Sequence, residues 1–348
     1  TTEKYTTTPT TFVAGKSYTY KLTVGKNKIS VSGITVADWN TGKITDNGKA
    51  ERVPPYITFT ANEEQKFKMT TEGDYTISGL EYSVKDGEWA SVVAGTEITF
   101  GGTHGNLRLR GTNPKGTATD FDNYSNITFT KNVNVACTGD IRTLLNWKYY
   151  DTVDTQNARF CSLFMYCSVL TSAPELPATE LAYYCYFGMF LGCTNLTSAP
   201  ELPATTLADN CYSNMFKKCT SLTDAPELPA TTLTNNCYQS MFYGCTNLTS
   251  APKLPAAKLV ADCYKSMFYG CTKLSTVTIL TPSVEITKHN SFHQWLENAG
   301  TDGSITRTLK VQDEDAYNAL VTTGDLPEIW KKGATNTTVL NKDNGKIE

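Results

Sequence analysis

The stretch that decides the fold reads Leu196-Thr-Ser-Ala-Pro-Glu-Leu-Pro-Ala-Thr-Thr-Leu207-Ala-Asp-Asn-Cys211-Tyr212-Ser-Asn-Met215-Phe216-Lys-Lys-Cys219, and near-copies of it lie on both sides. Two cysteine series mark a fixed step of 26 residues. They are Cys185, Cys211, Cys237 and Cys263, and Cys167, Cys193, Cys219, Cys245 and Cys271. Such a period indicates stacked supersecondary units, because one unit cannot bury its apolar face alone. Residues 161–280 are therefore predicted to form a solenoid.

Each copy divides into two parts. The prolines at Pro200 and Pro203 cannot donate backbone hydrogen bonds, so the extended part should form a parallel ladder only a few residues wide. After it, Thr206 is a suitable N-cap. Leu207, Cys211 and Met215 then follow at helical spacing, which predicts a helix of two to three turns.

The eleven cysteines allow more than one interpretation. They occupy inward-facing positions of the expected helices, where small buried thiols pack well and would form two ladders along the stack. In an exported chain at least one disulfide is the alternative, although the number of cysteines is odd. A metal site is disfavoured, because Cys-x7-Cys is not zinc spacing and no histidine lies between Cys161 and Cys271.

The motif Ala-Pro-Glu-Leu-Pro-Ala-Thr-Thr-Leu, followed by Asn-Cys-Tyr-x-x-Met-Phe-x-x-Cys-Thr-x-Leu-Thr, resembles the BspA-like leucine-rich repeats of surface proteins from Bacteroides-type bacteria. Its most specific part runs from Met241 to Leu248, and the resemblance covers about a third of the chain. Residues 160–170 form a degenerate first copy that suits a capping coil. The resemblance implies an exported, non-enzymatic protein used for adhesion or recognition at the cell outer membrane.

Composition narrows the class of partner. The chain has 348 residues, enough for two or three domains, and a net charge of −3. A net charge of −3 does not predict a basic surface that would bind nucleic acid or an anionic membrane. No apolar run approaches the length of a membrane span. The sequence opens directly on Thr1-Thr2-Glu3-Lys4. We therefore expect a leader, and a lipid anchor if there is one, upstream of Thr1.

Residues 1–50 are predicted to be a terminal β-ribbon, with strands at 17–24 and 28–32 and further extended segments at 36–39 and 44–48. The phrase from Phe12 to Trp39 resembles the closing strands of fimbrillin-type pilins, which implies a fimbrium or pilus. A two-stranded ribbon is marginal alone. Either it belongs to a larger domain that begins upstream, or it packs on its neighbour or on another subunit.

The overall expectation is a mixed, β-rich fold. Residues 51–135 are predicted to be a β-sandwich, immunoglobulin-like or jelly roll. Its expected strands are 57–59, 65–69, 75–77, 80–84, 98–100, 107–109 and 127–129. Residues 136–280 are predicted to be an α/β leucine-rich-repeat solenoid, with Ile141, Leu144 and Leu145 as its first coil or cap. Residues 281–348 are predicted to be a small α/β C-terminal cap, with helices at 291–298, 313–320 and 327–332 and strands at 305–311 and 337–340.

Motifs that would carry chemistry are weak. His289 and His293 could share one helical face as metal ligands, but a solvated face explains them better. Asp120-Phe-Asp122-Asn123 resembles part of a calcium loop, yet it lacks the spaced ligands and reads more simply as a turn. No Gly-x-Ser-x-Gly motif and no phosphate-binding loop is present. We predict no catalytic residue, no cofactor and no metal.

Tyr183, Tyr184, Tyr243 and Tyr269 are the candidate binding residues, because they occupy variable positions of the repeat and exposed tyrosine is common in recognition surfaces. The plainer interpretation is that they cover neighbouring coils. The expected partner is a protein or glycan ligand at the cell surface.

Three functions remain open at this point. The first is an exported cell-surface or pilus-associated recognition protein that binds host or microbial macromolecules through its repeats. The second is a structural pilus or surface-assembly subunit. The third, a glycan-active enzyme within the sandwich, has no motif to support it.

Overall fold

The structure is a computed structural model that describes residues 16–25, 28–38 and 53–347. The chain divides into two units, Thr1–Pro54 and Pro55–Glu348. In the first unit, β1 (Lys16–Gly25) pairs antiparallel with β2 (Lys28–Asp38), with an irregular register between Lys21 and Leu22. The two predicted strands are therefore present, and the second is longer than expected. The extended segment predicted at 44–48 lies outside the described residues.

The second unit begins with two antiparallel sheets. One contains five strands in the order β10-β3-β8-β5-β6, and the other contains three in the order β7-β4-β9. The strands are β3 (Ile57–Thr60), β4 (Gln65–Glu72), β5 (Leu80–Val84), β6 (Ala90–Ser91), β7 (Ile98–Phe100), β8 (Leu107–Gly111), β9 (Tyr124–Phe129) and β10 (Ala136–Thr138).

Six of the seven strands predicted here are confirmed, and the strand at 75–77 is wrong. The segment lies between Gly73 and Gly79, both at positive φ, so the chain turns at each end. Tyr75 instead anchors the loop by donating its hydroxyl to the Gly116 carbonyl at 3.0 Å.

The two sheets meet through aromatic side chains, of which Phe59 and Phe67 are fully buried and Phe129 is half-buried. The ring of Phe59 on β3 lies 5.8 Å from Phe67 on β4 and 5.4 Å from Phe129 on β9, centroid to centroid. Burial alternates along β8 and the first part of β4, as expected for strands with one buried face. Phe59 also lies 6.2 Å from Phe164, so this core continues into the repeats.

The repeats contain no helix, and the predicted helix in each copy is wrong. Neither a helix nor a strand longer than one bridge occurs between Leu145 and Ser275, all of which the structure describes. Successive backbone N–H groups instead donate alternately within their own copy and to the next copy. Cys211 donates to Ala208 within its own copy, whereas Tyr212 donates to Cys237 in the next copy. The same alternation continues to Lys218, so half of the N–H groups join consecutive copies.

Left-handed residues explain why the helix does not form. Asn210, Asn214 and Lys218 have φ of 60°, 58° and 62°, and the equivalent positions of the other copies are also positive. A left-handed residue at every fourth position interrupts the i to i−4 hydrogen bonding of a helix. The segment becomes a chain of tight turns, which we call the turn chain.

The extended parts of the copies contact each other through isolated parallel bridges. Asp224 pairs with Ser250, and Ser250 pairs with Thr276. The expected narrow ladder is therefore present.

Side chains repeat in register along the stack. Consecutive buried rings lie 5.4–6.1 Å apart and are close to parallel in most pairs. One column contains Phe160, Tyr186, Tyr212, Tyr238, Tyr264 and Phe292, and the other contains Phe164, Phe190, Phe216, Phe242 and Phe268.

The repeat continues past Leu280, contrary to prediction. The Phe268 N–H donates to the Trp295 carbonyl and the Gly270 N–H to the Glu297 carbonyl, so donor and acceptor are 27 residues apart in both bonds. The corresponding bond one copy earlier, from Phe242 to Met267, spans 25 residues. The last copy therefore contains two extra residues and has lost its cysteines. Asn290, Gln294 and Asn298 are at positive φ, so residues 291–298 form a turn chain and the helix predicted there is wrong.

The C-terminal residues combine a parallel sheet with short helices. β11 (Thr276–Thr278), β12 (Arg307–Lys310) and β13 (Thr337–Leu340) pair in that order. α1 (Ser283–Ile286) and α2 (Glu314–Thr323) follow β11 and β12. The predicted helix at 313–320 is confirmed, with Asp313 accepting from the Ala316 N–H at 2.8 Å. The helix predicted at 327–332 is only a 3-10 turn, Glu328–Trp330.

The β-sheet region covers the first copy of the repeat. Ile127 on β9 donates its N–H to Leu163 at 2.7 Å, and the side-chain amide of Asn126 donates to Ser162 at 2.7 Å. The predicted cap at Ile141, Leu144 and Leu145 is a buried 3-10 turn (Ile141–Leu144) whose Ile141 N–H donates to Glu175. Backbone carbonyls of the first copy that would otherwise lack a donor at the end of the stack are thereby satisfied.

Candidate functional site

Tyr183 and Tyr184 belong to an exposed aromatic cluster. Their ring centroids lie 4.0 Å apart, and the Tyr184 ring lies 5.3 Å from Phe187 and 5.0 Å from Phe121. Tyr183 is 46% exposed and Phe121 is 42% exposed. We call Phe121, Tyr183, Tyr184 and Phe187 the aromatic patch.

Two different segments build the aromatic patch. One segment is the start of the turn chain in the copy that contains Cys185, and it carries Tyr183, Tyr184 and Phe187. The other is the loop between β8 and β9, which carries Phe121. Tyr184 has a φ of 59°, unusual for an aromatic residue, and this conformation sets where its ring points. The backbone is held in place by Arg159, whose side chain donates to the Tyr183 carbonyl at 2.9 Å.

The loop that carries Phe121 is held by its own carboxylate. Asp120 Oδ1 accepts hydrogen bonds from the N–H groups of Asp122 and Asn123, both at 2.9 Å. The side chain of Asn123 also donates to Asp120, and this bond lowers the pKa of that carboxyl. This geometry is a turn, the simpler of the two sequence interpretations.

Burial and the neighbouring hydroxyl of Tyr183 raise the pKa of Tyr184 to about 12. Its hydroxyl therefore keeps its proton at neutral pH. The patch presents ring faces together with phenol hydroxyl groups, a combination that suits a ligand with both apolar surfaces and hydroxyl or amide groups.

Tyr243 and Tyr269 form a second, separate group. Their rings stack at 4.5 Å with 2° between the planes, because they occupy equivalent positions of consecutive copies. The Lys217 ammonium lies 4.7 Å from the centroid of the Tyr243 ring, and Asn298 donates to the Tyr269 hydroxyl at 3.3 Å. Both tyrosines are half-buried, so here they do cover their neighbours.

The four predicted tyrosines therefore do not form one site. Tyr183 is equivalent in the repeat to Asp209, whereas Tyr243 is equivalent to Leu191 and Lys217, so the two pairs lie in different columns. Sequence reasoning did not include Phe121 and Phe187. A signal existed for Phe187, since the later copies have Ser213, Gln239 and Lys265 in its place.

The cysteines do not form a reactive site. All eleven are buried and unpaired. Cys193, Cys219, Cys245 and Cys271 each donate the thiol hydrogen to a phenylalanine carbonyl 29 residues earlier, at 3.0–3.1 Å. Burial raises the pKa of Cys161 and of Cys245 to about 12. Thiols in this environment are poor nucleophiles and poor metal ligands.

The histidines lie apart from the aromatic patch. His293 Nδ1 is 3.5 Å from Asp325 Oδ1, and His104 Nε2 is 3.3 Å from Glu64 Oε2. His289 is exposed at a φ of 62°. Within residues 53–347 no group of three or more histidine, cysteine, aspartate or glutamate side chains is placed to hold a metal ion.

No family model, no curated protein and no solved structure matches the chain. Over the part of the chain that is described, no helix is both long and apolar enough to cross a bilayer.

Proposed function

We propose that this protein is an exported recognition protein of a bacterial cell surface or pilus, and that it binds a macromolecular ligand through the aromatic patch. The observation that carries the proposal is the patch itself, with four aromatic rings in contact while Phe121 and Tyr183 remain over 40% exposed. The cell-surface and pilus location rests on the sequence resemblances alone.

The architecture we propose is a leucine-rich-repeat solenoid of the BspA-like kind, covered at one end by a β-sandwich and at the other by the α/β segment. The support for it is the backbone hydrogen bonding between consecutive copies and the stacked ring columns. A stack of this kind gives a rigid base, so the rings of the patch lose little conformational freedom when a ligand binds.

The composition of the patch favours recognition over simple packing. Contiguous exposed aromatic surface on a soluble protein commonly marks an interaction site, and tyrosine is enriched among residues that dominate binding energy. The ligand class that fits is a glycan or a protein segment that offers both apolar faces and hydrogen-bonding groups.

Arrays of glycans and of surface proteins would test the proposal. For any ligand found, we expect Phe121→Ala and Tyr183→Ala each to weaken binding by about tenfold or more, because each removes a ring from the centre of contact. Tyr149→Ala is the matched control, since Tyr149 is a 65% exposed aromatic outside the patch, and it should leave affinity unchanged.

A chain that binds nothing on either array would contradict the recognition function. If its deletion then disrupted assembly of the pilus or of the surface layer, the structural-subunit alternative would be favoured.

A further inference from the structure

The four Ala-Pro-Glu-Leu-Pro-type segments line one side of the stack. They are residues 173–177, 199–203, 225–229 and 251–255, and we call this side the proline face. Between the first two segments lies a groove of 440 Å³, and between the second and third a groove of 350 Å³. Their walls are mainly proline rings, with a glutamate on each side.

The charge on this face changes sign along the stack. Glu175, Glu201 and Glu227 occupy equivalent positions and are exposed, whereas the fourth copy has the exposed Lys253 there. The next position in the row is the uncharged Thr278, and the position after it is the basic Lys310. Leu254 donates its N–H to Thr278, Thr278 pairs with Lys310, and one 270 Å³ groove is lined by Lys253, Lys310 and Lys342.

Nothing in the described part of the chain neutralises these six charges. None of them lies within ion-pair distance of an opposite charge among residues 53–347. Lys310 Nζ donates to an amide oxygen, Asn344 Oδ1, at 2.8 Å. Like charges in one row repel each other, so each half of the row favours a partner of the opposite sign.

We propose that the proline face pairs with the same face of a second copy of this chain, in an antiparallel arrangement about a two-fold axis. An axis that crosses the face between Glu227 and Lys253 places Glu227 opposite the second copy's lysine 253, and Glu175 opposite its lysine 310. A two-fold interface uses one patch twice, so a patch with an acidic and a basic half is complementary to itself when reversed.

The dimensions of the face suggest a weak, salt-sensitive dimer. With about 4.8 Å between hydrogen-bonded segments, the five steps from Glu175 to Lys310 span about 24 Å. The grooves offer apolar walls against which the alkyl part of an opposing lysine can lie. A contact of this extent with exposed charges is typical of transient complexes and is weakened by salt.

Sedimentation equilibrium of the full chain tests the pairing by charge exchange. At about 50 mM salt and about 0.1 mM protein we expect the wild type to dimerise, and at about 500 mM salt to be monomeric. Glu227→Lys alone and Lys253→Glu alone should each weaken dimerisation at least fivefold, because each places like charges opposite one another. An equimolar mixture of the two variants should dimerise again, because the opposed charges then have opposite signs.

The triple variants E175K/E201K/E227K and K253E/K310E/K342E extend the same test. Each alone should lose the dimer, and an equimolar mixture of the two should form it again. The matched control reverses three exposed acids of the sheet region, Glu63, Glu72 and Glu88, with the same change of net charge as E175K/E201K/E227K. It should dimerise as the wild type does. Unfolding curves check that each variant folds.

Three results would overturn the proposal. They are a wild type that stays monomeric at low salt, variants that self-associate as strongly as the wild type, and a control that loses the dimer too. The measurement uses no ligand and leaves Phe121 and Tyr183 intact, so its failure would not bear on the proposed recognition function. If the dimer forms, two aromatic patches are joined in one particle, which strengthens binding to a repetitive ligand.

Discussion

At the scale of single residues, the cysteines behave as small apolar side chains with one weak donor. Each thiol of the second series is buried and donates to a backbone carbonyl, which for Phe164 and Phe190 already accepts a backbone N–H. Serine would fit the same bond but would add the cost of burying a hydroxyl, and alanine would leave a cavity. The residue type follows from packing combined with this hydrogen bond, without any redox role.

Alkaline pH should therefore destabilise the protein. Burial raises the pKa of Cys245 from 9.0 to about 12, so the folded state keeps a proton that the unfolded state releases. The free energy of unfolding should be unaffected by this thiol below about pH 9. It should fall as the pH rises from about 9 to 12, by about 1.4 kcal/mol per pH unit. Urea titrations between about pH 7.5 and 10.5 in a reductant measure this.

Burial also raises the pKa of the Cys161 thiol to about 12, so Cys161 should contribute to the same loss of stability at alkaline pH. A Cys161→Ala/Cys245→Ala variant should lose stability at neutral pH but show a shallower decline above about pH 9 than the wild type. A decline of equal slope in both proteins would contradict the assignment to these thiols.

At the scale of an element, the turn chain depends on residues that tolerate positive φ. The positions concerned are asparagine, glycine, serine, aspartate, glutamine, lysine or tyrosine in the different copies, and none is β-branched. Asparagine and glycine reach this conformation at low cost, whereas β-branched residues do not. The element is therefore specified by conformational preference as well as by its apolar side chains.

Asn214 allows a direct test of this requirement. With a φ of 58°, Asn214→Gly should be neutral or slightly stabilising, whereas Asn214→Val should lower the free energy of unfolding by about 2 kcal/mol. Chemical denaturation of both variants gives the comparison. Equal effects of glycine and valine would show that the left-handed conformation does not limit stability at this position.

Sequence reasoning identified the repeat and its buried side but assigned the wrong local structure. Leu207, Cys211 and Met215 recur every four residues, which fits either an amphipathic helix or turns of four residues. Asn210 and Asn214 decide between them, because they fall at the same spacing one residue earlier. The patch was only half predictable, since the contact between Phe121 and Tyr184 joins segments far apart in sequence.

At the scale of the whole molecule, the repeats are closed at both ends by different means. The sheet region donates N–H groups of β9 to the first copy, and the C-terminal segment covers the last copy with Trp330 and Arg307. Trp330 donates its indole N–H to the Ala299 carbonyl at 2.9 Å. Stability of the stack thus depends on residues outside the repeats.

Substitution of Arg307 tests how much the C-terminal segment contributes to the free energy of unfolding. Arg307 is 8% exposed, and its guanidinium donates to the carbonyls of Gly300, Ile329 and Thr335. Arg307→Met keeps most of the volume but removes the donor to the Gly300 and Thr335 carbonyls, whereas the Ile329 carbonyl still accepts from the Thr337 hydroxyl. We expect a loss of about 3 kcal/mol. Urea unfolding measures the loss, with the exposed Lys258→Met as control.

Hydrogen exchange should locate the effect of Arg307→Met. Faster exchange is expected in residues 289–300, because Gly300 ends the last copy. Loss of protection spread evenly over the chain would indicate general unfolding instead of an opened end.

The 26-residue step has a consequence for how such a chain can change in length. Internal copies present matching surfaces above and below, so excising or duplicating one complete unit would bring together contacts of the kind already present. Neither terminal module would need redesign. The length of the repeat region can therefore change by one copy at a time. Genetic recombination between near-identical units would produce such length variants directly.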